Sequence, residues 1–127
     1  MADLLQRSSA WLENQRVKHM TRMVTYQRGS DAVEVPATIG QTVFELNDRA
    51  GAVLRTESRD YLILAEDLVL SGIAVTPRRG DRIRESTGTV TQVYEVLAPG
   101  DEPCWRYSDP YRQTLRIHTK HFDTENE

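Results

Sequence analysis

Cysteine is almost absent from the sequence, since Cys104 is the only one among 127 residues. A single cysteine excludes a disulfide within the chain and leaves no pair of thiolates for a structural zinc site. We therefore expect Cys104 to be a structural, partly buried thiol.

Long hydrophobic runs are also missing. The longest, Tyr61 to Ala65, is far shorter than the roughly 20 residues that cross a bilayer. The first residues include Asp3 and a polar stretch from Gln6 to Ser9, unlike a secretory signal. These patterns predict a protein without a membrane partner that remains in the cytoplasm where it is made.

An excess of positive charge is lacking as well, because the net charge is −3. The whole molecule is therefore unlike a basic nucleic-acid binder. Residues 1–28 nevertheless carry a net charge of +3, whereas residues 121–127 contain Asp123, Glu125 and Glu127 and no Lys or Arg. Opposite ends can pair in a head-to-tail ring, although solvated termini are the commoner explanation.

No set of residues has the spacing of a catalytic, metal or cofactor site. His118 and His121 are three apart on a predicted strand, so their side chains should point to opposite faces rather than share a metal. Asp81, Asp101 and Asp109 stand beside Gly or Pro, where Asp most often stabilises a turn. No glycine-rich phosphate loop is present. The sequence thus predicts a protein that is not an enzyme and has no cofactor.

Two short motifs allow a functional and a structural interpretation. Arg79-Gly80-Asp81 spells a cell-adhesion tripeptide, but it stands where a turn should lead into a strand. Aromatic and basic residues also alternate late in the chain, which could form a stacking platform for single-stranded nucleic acid: Trp105, Arg106, Tyr107, Tyr111 and Arg112. We favour the alternative, in which Trp105 and Tyr107 fill the core and the arginines lie outside.

The length favours one domain, preceded by a helical segment. Residues from Asp3 to about His19 lack Gly and Pro and favour a helix, but their sparse apolar positions could not stabilise it alone. We divide the chain into a docking helix at 1–22, a β domain at 23–120 and an acidic tail at 121–127. The helix residues expected at a protein interface are Leu4, Leu5, Arg7, Trp11, Leu12 and Arg16.

The rest of the chain alternates short apolar stretches with turn residues, which indicates a small antiparallel β barrel or sandwich. One short helical turn is expected at Ala65–Leu68, and Pro36 places its strand at an edge or ends it. The predicted strands are Met23–Gln27, Ala32–Ala37, Thr42–Leu46, Val53–Leu54, Tyr61–Leu64, Arg82–Arg84, Thr89–Leu97, Trp105–Tyr107 and Leu115–Lys120.

The order of these elements resembles the lambda-like head-tail joining proteins of bacteriophages, also called stopper or head-completion proteins. The polar N-terminal segment opens with Met1-Ala2-Asp3. The motifs that carry the resemblance then follow in order: Arg59-Asp60-Tyr61-Leu62-Ile63, Ala65-Glu66-Asp67-Leu68, Arg78-Arg79-Gly80-Asp81, Tyr94-Glu95-Val96 and Trp105. The chain departs from the pattern at its end, where a strand and an acidic tail replace a short basic tail.

This resemblance implies a structural protein of the virion neck, assembled in the host cytoplasm. It implies a homo-oligomeric ring, expected to be a hexamer, between the portal or adaptor on the head side and the tail terminator or tail tube on the other. The lumen would retain DNA and contact the genome. A docking loop that orders on binding is expected at Asn47, Asp48, Arg49, Gly51 and Ala52, and a turn at Arg78, Arg79, Gly80 and Asp81.

Two alternatives remain open at this point. A tail terminator or portal-bound adaptor also forms rings, although an adaptor should be mostly helical. A small β-barrel nucleic-acid-binding protein belongs to a different class, which tight binding of single strands in moderate salt would support.

Overall fold

The computed structural model describes residues 21–47, 50–100 and 102–126. These residues form nine β-strands and one 3-10 turn at Ala65–Asp67. The strands are β1 (Thr21–Arg28), β2 (Asp31–Asn47), β3 (Val53–Leu64), β4 (Val69–Leu70), β5 (Ile73–Ala74), β6 (Arg82–Ser86), β7 (Val90–Val96), β8 (Trp105–Tyr107) and β9 (Thr114–Asn126). The predicted β1, helical turn and β8 are confirmed.

Seven strands form one antiparallel sheet in the order β3-β2-β1-β6-β7-β9-β8. The sheet curls, because β9 pairs with β7 and β8 along one edge and with β3 along the other. The mostly β, antiparallel class is therefore confirmed. A single curled sheet takes the place of the predicted barrel or sandwich, and β4 and β5 form a separate two-stranded ribbon.

The inner face of the curled sheet holds the hydrophobic core. Alternate residues of each strand point inward, as the two-residue period of a strand requires. Burying each large aliphatic or aromatic side chain contributes about 1.5–3 kcal/mol. The largest fully buried apolar side chains are Tyr26, Tyr61, Ile63, Leu68, Ile83, Leu115 and Ile117.

Two pairs of predicted strands each form one long strand. Residues 32–37 and 42–46 both belong to β2, in which Pro36 pairs with Met23 of β1. Pairing of β2 with β3 begins only at Thr38. Pro36 therefore has β1 as its neighbour on one side and no paired strand on the side of β3, so its missing N–H removes no hydrogen bond between β2 and β3. Likewise, residues 53–54 and 61–64 both belong to β3.

The last strand is longer than the predicted strand Leu115–Lys120. It runs to Asn126, and residues 119–126 pair with β7, so residues 121–126 form part of a strand whose side chains are mostly exposed. The acidic side chains in this part lie on a strand that the β7 ladder stabilises. The predicted N-terminal helix and its interface residues lie outside the described residues.

Candidate interaction surfaces

At one end, the paired strands β2 and β3 extend past the strands that lie beside them, β1 and β9. Pairing of β1 with β2 ends at Thr38, and pairing of β9 with β3 ends at Arg59. The two strands stay paired with each other from Thr38 as far as Asn47 and Val53. We call residues 41–47 and 53–58, with the connection between them, the β2–β3 arm. No other strand in the described part of the chain pairs with its edges.

One face of the arm exposes apolar side chains. Val43 is 48% exposed and Val53 is 58% exposed. The register Val43 with Glu57 and Asn47 with Val53 places both valines on this face, because cross-strand partners share a face of a sheet. The exposed Glu45–Arg55 pair lies between the two valines on the same face. A face that mixes exposed apolar and charged side chains, at strand edges with no other strand among the described residues, is a surface suited to another protein.

An open cleft of about 610 Å³ separates the base of the arm from β7 and β9. Arg59 lies in the cleft and contacts the rings of Tyr61 and Tyr94, its guanidinium carbon 4.9 Å from the Tyr94 centroid. Its Nη2 also donates to both carboxylate oxygens of the buried Glu85, at 3.0 and 3.1 Å. Paired charges and aromatic rings therefore line the floor of the cleft. The charge of Arg59 is already neutralised by Glu85, so it is not available to a partner that binds there.

The arm is anchored to the sheet by the fully buried carboxylate of Asp60. Oδ1 accepts from Ser58 Oγ at 2.6 Å and contacts His118 Nδ1 at 2.8 Å. Oδ2 accepts from Arg116 Nε at 2.7 Å and from the hydroxyl of Thr42. These partners lie on β2, β3 and β9, so one carboxylate joins three strands where the arm leaves the sheet.

Gly40 makes room for this arrangement. It stands opposite Asp60 in the β2–β3 register. A Cβ atom at Gly40 would lie 3.2 Å from Arg116 Nη2 and 3.3 Å from Leu62 Cδ1. The absent side chain allows the Arg116 guanidinium to cross β2, where Nη2 donates to the carbonyl of Gln41 at 3.0 Å.

Hydrogen bonds keep Asp60 ionised. Burial alone would raise the pKa of this carboxyl, but the hydrogen bonds from His118, Ser58, Thr42 and Arg116 outweigh burial and lower the pKa to about 2. Because a carboxylate only accepts hydrogen bonds, the Nδ1 atom of His118 carries the proton in this contact.

We predict a measurable acid dependence from this carboxylate. Its folded pKa lies below the unfolded value, so its contribution is complete above about pH 5 and is lost as the pH falls through about 2. Urea unfolding at successive pH values should show a loss of about 2–3 kcal/mol from this group. In the variant Asp60→Asn the decline should be smaller by that amount; equal declines in both proteins would contradict the assignment.

Ser58, His118 and Asp60 do not form a catalytic triad although they are the right residue types. A triad places the serine on one imidazole nitrogen and the carboxylate on the other. Here Ser58 Oγ and Asp60 Oδ1 both contact Nδ1, at 3.4 and 2.8 Å, and Ser58 donates to Asp60 instead. The cluster therefore has structural rather than nucleophilic geometry.

Another buried carboxylate, Asp81, lies where β6 begins. Arg28 donates from Nε to Oδ1 at 3.0 Å and from Nη2 to Oδ2 at 2.7 Å. The Tyr26 hydroxyl and the backbone N–H of Arg78, at 2.9 Å, also donate to Oδ2. Burial is the main cause that raises the pKa of Tyr26, and its bond to Asp81 adds to it.

This geometry decides between the two interpretations of Arg79-Gly80-Asp81. The carboxylate that an adhesion receptor would need is 4% exposed and fully engaged. Gly80 has φ +92°, the left-handed conformation that a tight turn requires. The predicted turn is confirmed, and adhesion through this tripeptide is incompatible with the folded protein.

The aromatic residues of β8 divide between core and surface. Trp105 packs partly against the core as predicted, whereas Tyr107 is 37% exposed, so the prediction that it fills the core is wrong. The two rings meet edge to face at 5.0 Å. Tyr111, 52% exposed, follows in the adjacent loop. Aromatic surface thus accumulates at this edge of the sheet.

Several smaller predictions are confirmed. Cys104 is buried, and burial raises the pKa of its thiol. His118 is buried while His121 is exposed, and Asp109 accepts from backbone N–H groups within its turn.

The loop predicted from Asn47 to Ala52 is described only in part. Asn47 ends β2, and Gly51 and Ala52 lead into β3. Asp48 and Arg49 lie outside the described residues, as does Asp101.

Sequence reasoning missed the Asp60 cluster. Its only signal was a polar residue at every second position of β3, Ser58 and Asp60, which we interpreted as an interruption of the strand. On β9, Arg116 and His118 alternate with Leu115 and Ile117, a pattern typical of a half-buried strand. Which of these polar side chains meet depends on the pairing of β3 with β9, and local sequence does not encode that pairing.

The family comparison addresses the role of the whole molecule. The family model for phage head-tail joining protein matches residues 2–126, nearly the entire chain. The chain belongs to this family. It is therefore a structural protein of the virion neck that contacts other head and tail proteins, and the resemblance inferred from the motifs is confirmed.

The other comparisons add no relative. No curated protein and no solved structure shows a significant match. Within the described ranges, no helix is long and apolar enough to cross a membrane. The same residues include no group of three or more His, Cys, Asp or Glu side chains placed to hold a metal ion.

Proposed function

We propose that this head-tail joining protein forms a homo-oligomeric ring of six copies in the neck of a long-tailed phage. Its head side would contact the portal or adaptor, its tail side the terminator or tail tube, and its lumen would help to retain DNA. The family match supports the joining role. The strand content disfavours the alternative of a mostly helical adaptor.

The β2–β3 arm is the observation that carries the ring. No other strand of the described residues pairs with its edges, and its exposed valines lie on one face. In a ring each arm can reach the next copy, where added strand pairing and burial of Val43 and Val53 would stabilise the contact. The Asp60 cluster fixes the base of the arm, which reduces the conformational freedom lost on assembly.

Other predicted contacts remain part of this proposal. The helix predicted within residues 1–22 would dock on a neighbouring protein, and the tip of the arm, which includes the predicted loop from Asn47 to Ala52, would face the lumen or a neighbour. The pair Arg55 and Glu45, 3.7 Å apart on the arm, is exposed and available to exchange partners.

We predict that Val43→Asp combined with Val53→Asp reduces the joining of purified heads and tails about tenfold or more. The two introduced carboxylates would lose their hydrating water at the contact, which is unfavourable, and they would not affect the core. Joined particles can be counted by electron microscopy, and thermal unfolding checks that the fold is intact. Met23→Asp is a matched control, because Met23 is also 58% exposed but lies on β1 outside the arm.

Two outcomes would contradict parts of the proposal. Normal joining by the folded double variant would exclude the arm as a contact. An image of intact necks that shows this protein as a single copy would exclude the ring while leaving the joining role in place.

A further inference from the structure

Strand β8 has one edge, away from the arm, that no other strand of the described residues pairs with. It is the last strand of the sheet, and β9 pairs with one side only. The backbone bonds from His118 N to Cys104 O and from Ser108 N to Thr114 O face β9. In an antiparallel ladder successive residues alternate direction, so the backbone groups of Trp105 and Tyr107 face outward. No described residue pairs with them.

Four exposed arginines surround this edge. Arg106 lies on the strand, Arg112 in the loop after it, and Arg78 and Arg79 in the turn at its start. That turn is adjacent, because Cys104 Sγ lies 3.8 Å from the carbonyl oxygen of Pro77. None of the four guanidinium groups has a salt bridge to the described residues, in contrast to Arg28, Arg59 and Arg116. Glu102 and Asp109 lie in the segments before and after β8, so four arginines stand against two described carboxylates, and the edge is positive on balance in a chain of net charge −3.

Aromatic rings cover one side of the same edge. The edge-to-face pair of Trp105 and Tyr107 is extended by Arg112, whose guanidinium carbon lies 5.8 Å from the centroid of the Tyr107 ring. Tyr, Trp and Arg are the residue types that most often dominate binding energy at protein interfaces. A strand added here would place alternate side chains against the rings on one face and Arg106 on the other.

The loop that carries Arg112 is held in a defined conformation. The Asp109 carboxylate accepts from the backbone N–H groups of Tyr111, Gln113 and Thr114 at distances from 2.8 to 3.2 Å. Arg112 has φ +57°, which a non-glycine residue adopts only when its surroundings impose it. The loop therefore presents Tyr111 and Arg112 with little further ordering on binding.

We propose that the outer edge of β8 binds an extended, acidic segment of a partner protein as an added strand. Outward backbone groups bind another polypeptide backbone, the arginines bind its carboxylates, and the rings cover its apolar side chains. DNA would satisfy the arginines but not the strand edge, so the observations favour a polypeptide. This site is separate from the β2–β3 arm and does not depend on ring formation.

The test uses the full chain labelled with ¹⁵N and four probes. One peptide of about six residues alternates Glu with Val and Thr; a second replaces Glu with Lys; a third keeps Glu but has Pro at alternate positions, which removes N–H donors. The fourth probe is a duplex DNA of random sequence. We expect saturable shifts at the amides of Trp105 and Tyr107 with the first peptide, none with the Lys peptide, and roughly tenfold weaker binding of the Pro peptide.

A variant with reversed charges provides the second part of the test. The variant Arg106→Glu with Arg112→Glu should weaken binding of the acidic peptide roughly tenfold, whereas Arg55→Glu on the arm should leave it unchanged. Equal affinity for the Glu and Pro peptides would overturn the added strand, since charge alone would then explain binding. Duplex binding in moderate salt that shifts the same amides would overturn the choice of a polypeptide, and no binding of the first peptide would overturn the site.

Discussion

Replacing Asp60 with alanine should lower the free energy of unfolding by about 3–5 kcal/mol, since it leaves buried charge without its partner. Arg116 Nε, the Thr42 hydroxyl and His118 Nδ1 would all lose their acceptor at once. Urea unfolding followed by circular dichroism measures this change. Asp123→Ala is the control, because Asp123 is exposed on β9 and should alter stability by about 0.5 kcal/mol or less.

A double variant separates loss of the bonds from the cost of an unpaired charge. Adding Arg116→Met to Asp60→Ala removes the guanidinium that would otherwise remain without its carboxylate. Part of the lost stability should return if the unpaired charge is the larger cause. A single variant as stable as the wild type would contradict the role of Asp60 as the anchor of the arm.

Replacing Asp81 with alanine should cost about 3 kcal/mol or more. Arg28 would lose a bidentate partner and the buried Tyr26 hydroxyl its acceptor, and the turn would lose the bond from the backbone N–H of Arg78. Tyr26→Phe removes only one of these bonds and should cost about 1 kcal/mol.

Arg79→Ala is the matched control within the same turn, because that side chain is exposed. It should change the free energy of unfolding by about 0.5 kcal/mol or less. If Asp81→Ala were no more damaging than Arg79→Ala, the carboxylate would contribute nothing beyond turn geometry, and the explanation for its burial would be wrong.

Much of the fold could be predicted because turn chemistry is local. Gly29 adopts positive φ between the predicted strands Met23–Gln27 and Ala32–Ala37, and Gly80 does so within the predicted turn before Arg82–Arg84. The 3-10 turn at Ala65–Asp67 also lies where predicted. These signals depend on the conformational preferences of one or two residues, so they remain valid whatever the rest of the chain does.

The long strands could not be predicted because polar residues within them find partners far away in sequence. Ser58 and Asp60 look like an interruption of β3 until Arg116 and His118 are placed beside them by the pairing with β9. The second half of β9 looks like a solvated tail until β7 pairs with it. Sheet register determines these neighbours, and no local pattern encodes that register.

The site predictions divide in the same way. The turn from Arg78 to Asp81 has the predicted geometry, but its role as a site stays a prediction. The helix lies outside the described residues, and its role also stays a prediction. The edge of β8 was visible as aromatic and basic residues between Trp105 and Arg112. The exposure of the aromatic side chains could not be predicted, because it depends on how much of Tyr107 the core covers in the folded sheet.

The double pairing of β9 also bears on how fast the protein folds. Register partners such as Tyr61 and Ile117 are far apart in the sequence. The chain therefore loses conformational entropy in bringing them together before their contact contributes any stabilising free energy. Proteins dominated by such non-local pairs fold in about milliseconds to seconds. Until β9 has been synthesised, β3 and β7 each expose an edge to other chains, and during that interval the nascent protein is most susceptible to aggregation.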